Sequence, residues 1–287
     1  MNAPRLPSLI ISRAERDDCR KAARRARPEG RVNQRSAIIN PGRFALPHRR
    51  AFTLIEIILS VVIICILAVL SIAGIGQVKP VIEGAYCANS LRQLGLATTM
   101  YLNDHQHRCF DYSVVEPAGK LWYFGFESWL SIASPEGDRI IDVTKSPLYP
   151  YVQQVGGVEV CPSFPYGQAI WKPKYQGASW GYGFNTFLSN VNTLDVQHPS
   201  QVLLFGDCAQ VNNFQFPADA NHPMLEEFYM IENTYMTIHF RHGGWANILF
   251  LDGHVQKFTM SPGTLDTRLP NANVGRITPF GSMEYLQ

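Results

Sequence analysis

The sequence predicts an α+β fold, in which one long N-terminal α-helix packs on an antiparallel β-sheet domain formed by the rest of the chain. Three features lead to this prediction. An apolar run covers residues 52–76, a helical period resumes after Pro80, and residues 105–287 contain short apolar or alternating runs separated by Gly, Pro and Asp. One helical region followed by clustered strands is typical of this fold class.

Charge divides the chain into a basic arm and an acidic body. Residues 1–51 contain 13 Lys and Arg and 4 Asp and Glu, which gives a net charge of +9. Residues 52–287 contain the remaining 12 basic and 19 acidic residues, which gives a net charge of −7. A basic arm can contact nucleic acid or a membrane surface. Because an apolar segment follows the arm directly, we expect no nucleic-acid partner.

The apolar segment 52–76 predicts a transmembrane helix. About 20 apolar residues cross the hydrocarbon core of a bilayer, and the segment is longer than that. Arg49 and Arg50 precede it, so the arm is expected to stay in the cytoplasm and the C-terminal body to be exported. A cleaved secretory signal is the alternative, but its apolar core is shorter and ends in a stronger cleavage site.

Glu56 is the only charged residue in this segment. An ionisable side chain inside a membrane helix is costly and marks a functional site by default. The alternative is a carboxylate near the end of the span that reaches the polar interface. The residue alone leaves both interpretations open.

The residues around Phe52 resemble the processing site of type IV prepilins. Residues 51–56 read AFTLIE, with Ala51 where the family has Gly. The resemblance implies that prepilin peptidase cuts between Ala51 and Phe52, and that residues 1–51 are a removed leader. Glu56 is then the fifth mature residue, and its carboxylate is placed to attract the new amine of a neighbouring subunit during assembly.

The helix is predicted to continue to residue 104 with an amphipathic second part. Five residues recur at helical spacing on one face: Leu91, Leu94, Thr98, Tyr101 and Leu102. Residues 87–101 also resemble the stretch that follows the membrane helix in pseudopilin-like proteins. These features divide the chain into a leader, a pilin-type helix over 52–104 and an exported domain over 105–287.

The exported domain shows strand and turn signals. Alternation over residues 180–184 and an apolar run over 201–207 predict strands. Two further apolar runs, 246–251 and 254–258, flank Asp252-Gly253, and this arrangement predicts a β-hairpin with a two-residue turn.

A His-x9-Asp-Gly pattern extends from His242 to Asp252 and Gly253, within residues 242–258. It resembles the C-terminal motif of a family of prepilin-type proteins named after this H-X9-DG spacing. A metal site that includes His254 is one interpretation. Local hydrogen bonding and turn formation are the favoured one, so no metal or other cofactor is predicted. The resemblance to calcium-binding pseudopilins leaves calcium open.

Four cysteines belong to the predicted exported domain and helix: Cys87, Cys109, Cys161 and Cys208. In an oxidising compartment an even number of cysteines predicts disulfides, here two with three possible pairings. The alternative is free buried thiols.

Together these features predict a structural subunit of a type IV pilus or a type II secretion pseudopilus. The resemblance implies self-assembly, prepilin peptidase and an assembly platform in the inner membrane as partners. No motif of an enzyme active site is found, so no catalytic function is expected. The alternative is a membrane-anchored surface domain that binds a ligand such as a carbohydrate, on which four tryptophans can stack. These are Trp122, Trp129, Trp171 and Trp180.

Overall fold

The computed structural model describes residues 53–158, 160–176 and 181–287, with only the backbone described for residues 70–77. The chain divides into two units, 1–56 and 57–287. The predicted leader and both residues of the predicted processing site, Ala51 and Phe52, lie outside the described residues.

The first element is the helix α1, which extends over Leu54–Asp104 and contains 51 residues. It confirms the predicted long helix, and Pro80 lies inside it. Among the residues that the structure describes, no helix is long and apolar enough to cross a membrane. The membrane span predicted over 52–76 includes Phe52 and the side chains of residues 70–76, which lie outside the described residues.

Short elements make up the rest of the described chain. The remaining α-helices are α2 (Trp129–Ile132) and α3 (Tyr149–Gln154). The strands are β1 (Ser113–Glu116), β2 (Gly119–Trp122), β3 (Gly125–Ser128), β4 (Tyr182–Asn185), β5 (Leu203–Asp207), β6 (Gln210–Asn212), β7 (Met224–Glu226), β8 (Met230–Ile231), β9 (Ile238–His239), β10 (Trp245–Phe250), β11 (Val255–Thr259) and β12 (Val274–Gly275).

A five-stranded sheet with the order β11-β10-β5-β4-β8 is the centre of the body. Its pairs are antiparallel except for β4 and β8, which run parallel. Three smaller sheets accompany it in the described chain: β1-β2-β3, β12-β9 and β6-β7. The α+β prediction is therefore confirmed, with one parallel pair within a sheet that is otherwise antiparallel.

The central sheet is covered on both faces, and the residues of β10 alternate between two clusters of buried residues. Leu249 of β10 packs with Leu91 and Leu94 of α1 on one face. The neighbouring residues Ile248 and Phe250 belong to a second cluster on the other face. This alternation follows from the period of two in a strand, and it places the second part of α1 against the sheet.

The predicted hairpin is present, but its turn differs from the predicted one. Strands β10 and β11 pair with Leu249 opposite Val255. The backbone N–H of Gly253 donates to the carbonyl of Phe250, and that of Phe250 donates to the carbonyl of His254, each over 2.9 Å. The loop therefore has three residues, and Gly253 adopts a φ of +91°, which only glycine reaches readily.

Candidate functional site

The start of α1 is held by a reciprocal pair of hydrogen bonds. The backbone N–H of Thr53 donates to Oε2 of Glu56 over 2.8 Å, and the N–H of Glu56 lies 3.3 Å from Oγ1 of Thr53. This is a capping box, which satisfies two backbone donors that a helix leaves without partners at its first turn. Glu56 therefore has a local structural role in the single chain.

The following turns of α1 expose an apolar surface on all sides. Twelve large apolar side chains between residues 54 and 69 are 48–79% exposed: Leu54, Ile55, Ile57, Ile58, Leu59, Val61, Val62, Ile63, Ile64, Ile66, Leu67 and Val69. A monomeric soluble protein rarely exposes so much contiguous apolar surface, which marks a contact with other proteins or with lipid. We call residues 54–69 the apolar segment.

A second candidate site lies inside the body, where four side chains meet. Cys87, Cys161, Asp207 and His242 each offer one ligand atom, and these atoms lie within 4.8 Å of one another. Each residue is at most 1% exposed. We call this group the buried cluster. It joins α1, the loop after α3, the end of β5 and the turn before β10.

Asp207 is the hub of the buried cluster. Its Oδ1 accepts from Nη2 of Arg241 over 2.7 Å and from the thiol of Cys87 over 2.8 Å. Its Oδ2 accepts from the backbone N–H of Asn247 over 2.7 Å and lies 3.1 Å from Nε2 of His242. A buried carboxylate needs such partners, because desolvation alone would favour its neutral form.

The other ring nitrogen of His242 faces a polar pair. Nδ1 lies 3.1 Å from Oγ of Ser163, and that hydroxyl donates to Oε2 of Glu83 over 2.7 Å. When Nδ1 carries a proton it donates to Ser163, and Nε2 faces the cluster, where its own proton is available to Asp207. The Ser163–Glu83 pair thus orients the imidazole.

Mutual interactions shift the pKa of each member of the buried cluster. Burial alone would raise the pKa of Asp207, but the charge of Arg241 and the hydrogen bond with His242 hold it well below its usual range. Burial alone would lower the pKa of His242, but Asp207 and Cys161 raise it to about 9. A hydrogen bond with Cys87 lowers the pKa of Cys161 to about 5, and burial raises that of Cys87 well above its ordinary value. The cluster therefore stabilises negative charge on Asp207 and Cys161.

The chemistry of the buried cluster suits a bound ion better than a substrate. Two thiols, an imidazole and a carboxylate are the ligands that Zn²⁺ takes in proteins. Calcium prefers oxygen ligands only, so this group does not provide the calcium site that the resemblance left open. With at most 1% exposure of each residue, no surface remains for a substrate to contact.

The predicted His-x9-Asp-Gly motif separates into two places. His242 belongs to the buried cluster, whereas Asp252 and Gly253 form the hairpin loop at the other end of β10. Asp252 instead contacts the ring of His254, with 2.6 Å between Oδ1 and Nδ1. The interpretation of His242, Asp252 and His254 as one metal site is wrong, because the six residues of β10 hold the two ends about 20 Å apart.

The predicted disulfides are not formed in the described chain. Cys87, Cys109, Cys161 and Cys208 are all free and buried. Cys109 and Cys208 belong to different clusters of core residues, so the two thiols are buried in different parts of the core. Cys87 and Cys161 do lie close together, but as members of the buried cluster they contact Asp207 and His242 as well.

A surface cleft of about 440 Å³ lies away from the buried cluster. Its lining includes three cationic residues, Arg139, Lys174 and Arg268, and three aromatic residues, Phe214, Phe228 and Tyr235. The other lining residues are Glu136, Gln210, Val211, Gln215, Met230, Met236 and Thr237. None of the described tryptophans lines it, and Trp180 lies outside the described residues. Trp122 instead donates to Glu127, and Trp129 to the carbonyl of Pro117.

Residues 46–72 match the family described as Prokaryotic N-terminal methylation motif. The match covers the predicted processing site and the apolar segment, and it supports processing and assembly of the type IV pilin kind. It does not extend to residues 242–258, where the resemblance to the His-x9-Asp-Gly family stays a prediction. No curated protein and no solved structure matches the chain.

Asp207 and Arg241 have no role in the function predicted from the sequence. The position of Asp207 at the end of an apolar strand is a sequence signal for a buried charged site. A buried carboxylate requires a cation or several hydrogen-bond donors nearby. That signal does not identify the partners, which come from distant parts of the chain.

Proposed function

We propose that this chain is a structural, non-enzymatic subunit of a type IV pilus or a type II secretion pseudopilus. Prepilin peptidase cuts its precursor between Ala51 and Phe52, and the mature subunit assembles through the first half of α1. The observation that carries the proposal is the apolar segment, exposed on every side and located within the matched methylation motif.

The exposure of apolar side chains on all sides of the helix favours assembly among several helices over docking on a single partner. A helix that packs on one partner needs a single apolar stripe, whereas a helix that is apolar all round is surrounded by other helices or by lipid. Burial of each exposed Leu, Ile or Val favours association by about 1.5–3 kcal/mol. A filament core built from copies of this segment would supply that burial.

Glu56 would provide the register between neighbouring copies. Its carboxylate lies at the start of the apolar segment, where the cut creates a new amine at Phe52. Attraction between the amine of one subunit and Glu56 of the next would be strong in a low-dielectric core. Before assembly the subunit would reside in the inner membrane, with the leader in the cytoplasm and the body in the periplasm.

N-terminal sequencing of the membrane-associated protein tests the proposed processing. In cells with active prepilin peptidase we expect the mature chain to begin at Phe52, and in cells without the peptidase the leader to remain. Ala51→Gly restores the residue that the family has before the cut, so it should be processed at least as well. An intact leader in the presence of active peptidase would contradict the proposal.

The cleft favours a second candidate function, a surface domain that binds a ligand such as a carbohydrate. Its volume lies within the range of small-molecule sites, and Phe214 offers an exposed ring. Calorimetric titration of the full chain with a panel of neutral sugars tests this function, with Phe214→Ala as the comparison. Saturable binding that Phe214→Ala weakens would support it, and absence of binding across the panel would oppose it.

A further inference from the structure

We propose that the buried cluster is a structural zinc site, in which one Zn²⁺ ion is bound by Cys87, Cys161, Asp207 and His242. Neither the matched motif nor the proposed assembly through α1 requires such a site. Four ligand atoms from four separate parts of the chain converge in the interior. Four protein ligands with no open position are typical of zinc sites that stabilise a fold.

The distances between the ligand atoms are close to those of a tetrahedral site. Zinc–ligand bonds of about 2.0–2.3 Å place the ligand atoms roughly 3.3–3.8 Å apart. Sγ of Cys161 lies 3.7 Å from Nε2 of His242, and that nitrogen lies 3.1 Å from Oδ2 of Asp207. Sγ of Cys87 contacts the other carboxylate oxygen of Asp207, Oδ1, over 2.8 Å, and this thiol hydrogen bond would be exchanged for a bond to the ion.

The charges of the site balance when the ion is bound. Two thiolates and one carboxylate carry three negative charges, and Zn²⁺ together with the guanidinium of Arg241 carries three positive charges. Arg241 is buried and lies 2.7 Å from Asp207, so it belongs to this balance. A buried group of charges is tolerated only when it is paired in this way.

The surrounding hydrogen bonds already orient the ligands. Ser163, supported by Glu83, is positioned to accept from Nδ1 of His242, and the N–H of Asn247 holds Oδ2 of Asp207. Such outer partners fix the tautomer and direction of metal ligands. On binding, the thiol of Cys87 and Nε2 of His242 release their protons to solvent, and zinc–ligand bonds replace that S–H and that N–H bond, while Cys161 binds as a thiolate.

The position of the site indicates what the ion would do. Cys87 belongs to α1, Asp207 ends the central strand β5 and His242 precedes β10. One ion would therefore connect the helix to two strands of the sheet and to the loop that carries Cys161. Its effect would be to fix the body on α1.

Metal analysis of the full-length chain, purified in detergent without chelators, tests the proposal. We expect about one zinc ion per chain. After removal of the metal, titration with Co²⁺ should give thiolate-to-cobalt charge transfer and the visible bands of a tetrahedral site, because Co²⁺ takes the same ligands. This measurement needs no variant. A chain that binds neither metal would overturn the proposal.

Matched variants locate the ion. Cys161→Ser should lose the zinc and the cobalt bands, whereas Cys109→Ser, which changes a buried thiol outside the cluster, should keep both. A chelator should lower the Tm of the wild type and of Cys109→Ser but leave that of Cys161→Ser unchanged. A Cys87–Cys161 disulfide in protein from its native host, found by mass spectrometry without reduction, would also overturn the proposal, because oxidised sulfurs are not zinc ligands.

Discussion

The two halves of α1 differ in how their apolar side chains are covered. The apolar segment, residues 54–69, exposes large side chains around the whole helix. Residues 84–102 alternate between exposed and buried positions, and their buried face packs on the central sheet. Gly95 shows how close this packing is, since a Cβ at that position would lie 3.1 Å from Cδ1 of Leu249.

This difference shows that one helix serves two kinds of partner. The second half is stabilised by the body of the same chain, so substitutions on its buried face should affect folding. The apolar segment has no such cover from the described body, so substitutions there should affect association with other molecules.

Glu56→Ala is expected to have the largest effect, on assembly. If Glu56 pairs with the amine of a neighbour, its removal leaves that amine unpaired in the filament core, at a cost of about 3–5 kcal/mol per contact. Stability of the body should not change. The measurement compares the yield of filaments with that of membrane-associated monomer, for wild type and variant at matched expression.

Glu56→Gln separates charge pairing from helix capping. Glutamine can still accept from the N–H of Thr53 as a member of a capping box, but it carries no charge. Pairing predicts that both variants lose filaments, whereas capping alone predicts that only Glu56→Ala does. Equal filament yield for the wild type and both variants would reject the pairing.

Leu94→Ala is expected to destabilise the body by about 2–5 kcal/mol, because the removed side chain leaves a cavity in a packed core. Leu94 is fully buried, and Leu96, two residues later on the same helix, is 55% exposed. Leu96→Ala is therefore the control, with an expected change within about 0.5 kcal/mol. Denaturant unfolding of the detergent-solubilised chain measures both. Similar losses for the two variants would mean that α1 does not pack as described.

Leu59→Ala should leave folding unchanged within about 0.5 kcal/mol, since Leu59 is 59% exposed in the single chain. It should nevertheless lower filament yield, because the side chain would be buried in the filament core. Leu96→Ala, at nearly the same exposure, should lower neither folding stability nor filament yield. Loss of filaments in both variants, or in neither, would contradict the division of α1 into two halves.

Local patterns predicted α1 and the strands β4, β5, β10 and β11, but not the sheet β1-β2-β3 or the shorter strands. The continuous apolar run and the helical spacing after Pro80 predicted α1, and Asp252-Gly253 between two apolar runs predicted the hairpin. The type of turn was wrong, because the sequence does not define which residues pair. The observed hydrogen bond from the N–H of Phe250 to the carbonyl of His254 leaves three residues, 251–253, in the loop. The parallel pair of β4 and β8 has no local signal either, since strand direction depends on distant contacts.

The sequence by itself determined that the chain has a long helix with an apolar first half, an amphipathic second half and a motif for N-terminal methylation. These properties are local, because they depend on residues that are neighbours along the chain or share one helical face. Only the tertiary structure brought Cys87, Cys161, Asp207 and His242 together and placed Arg241 beside them. No spacing rule connects these residues, because each belongs to a different element and packing of the whole domain decides which elements meet.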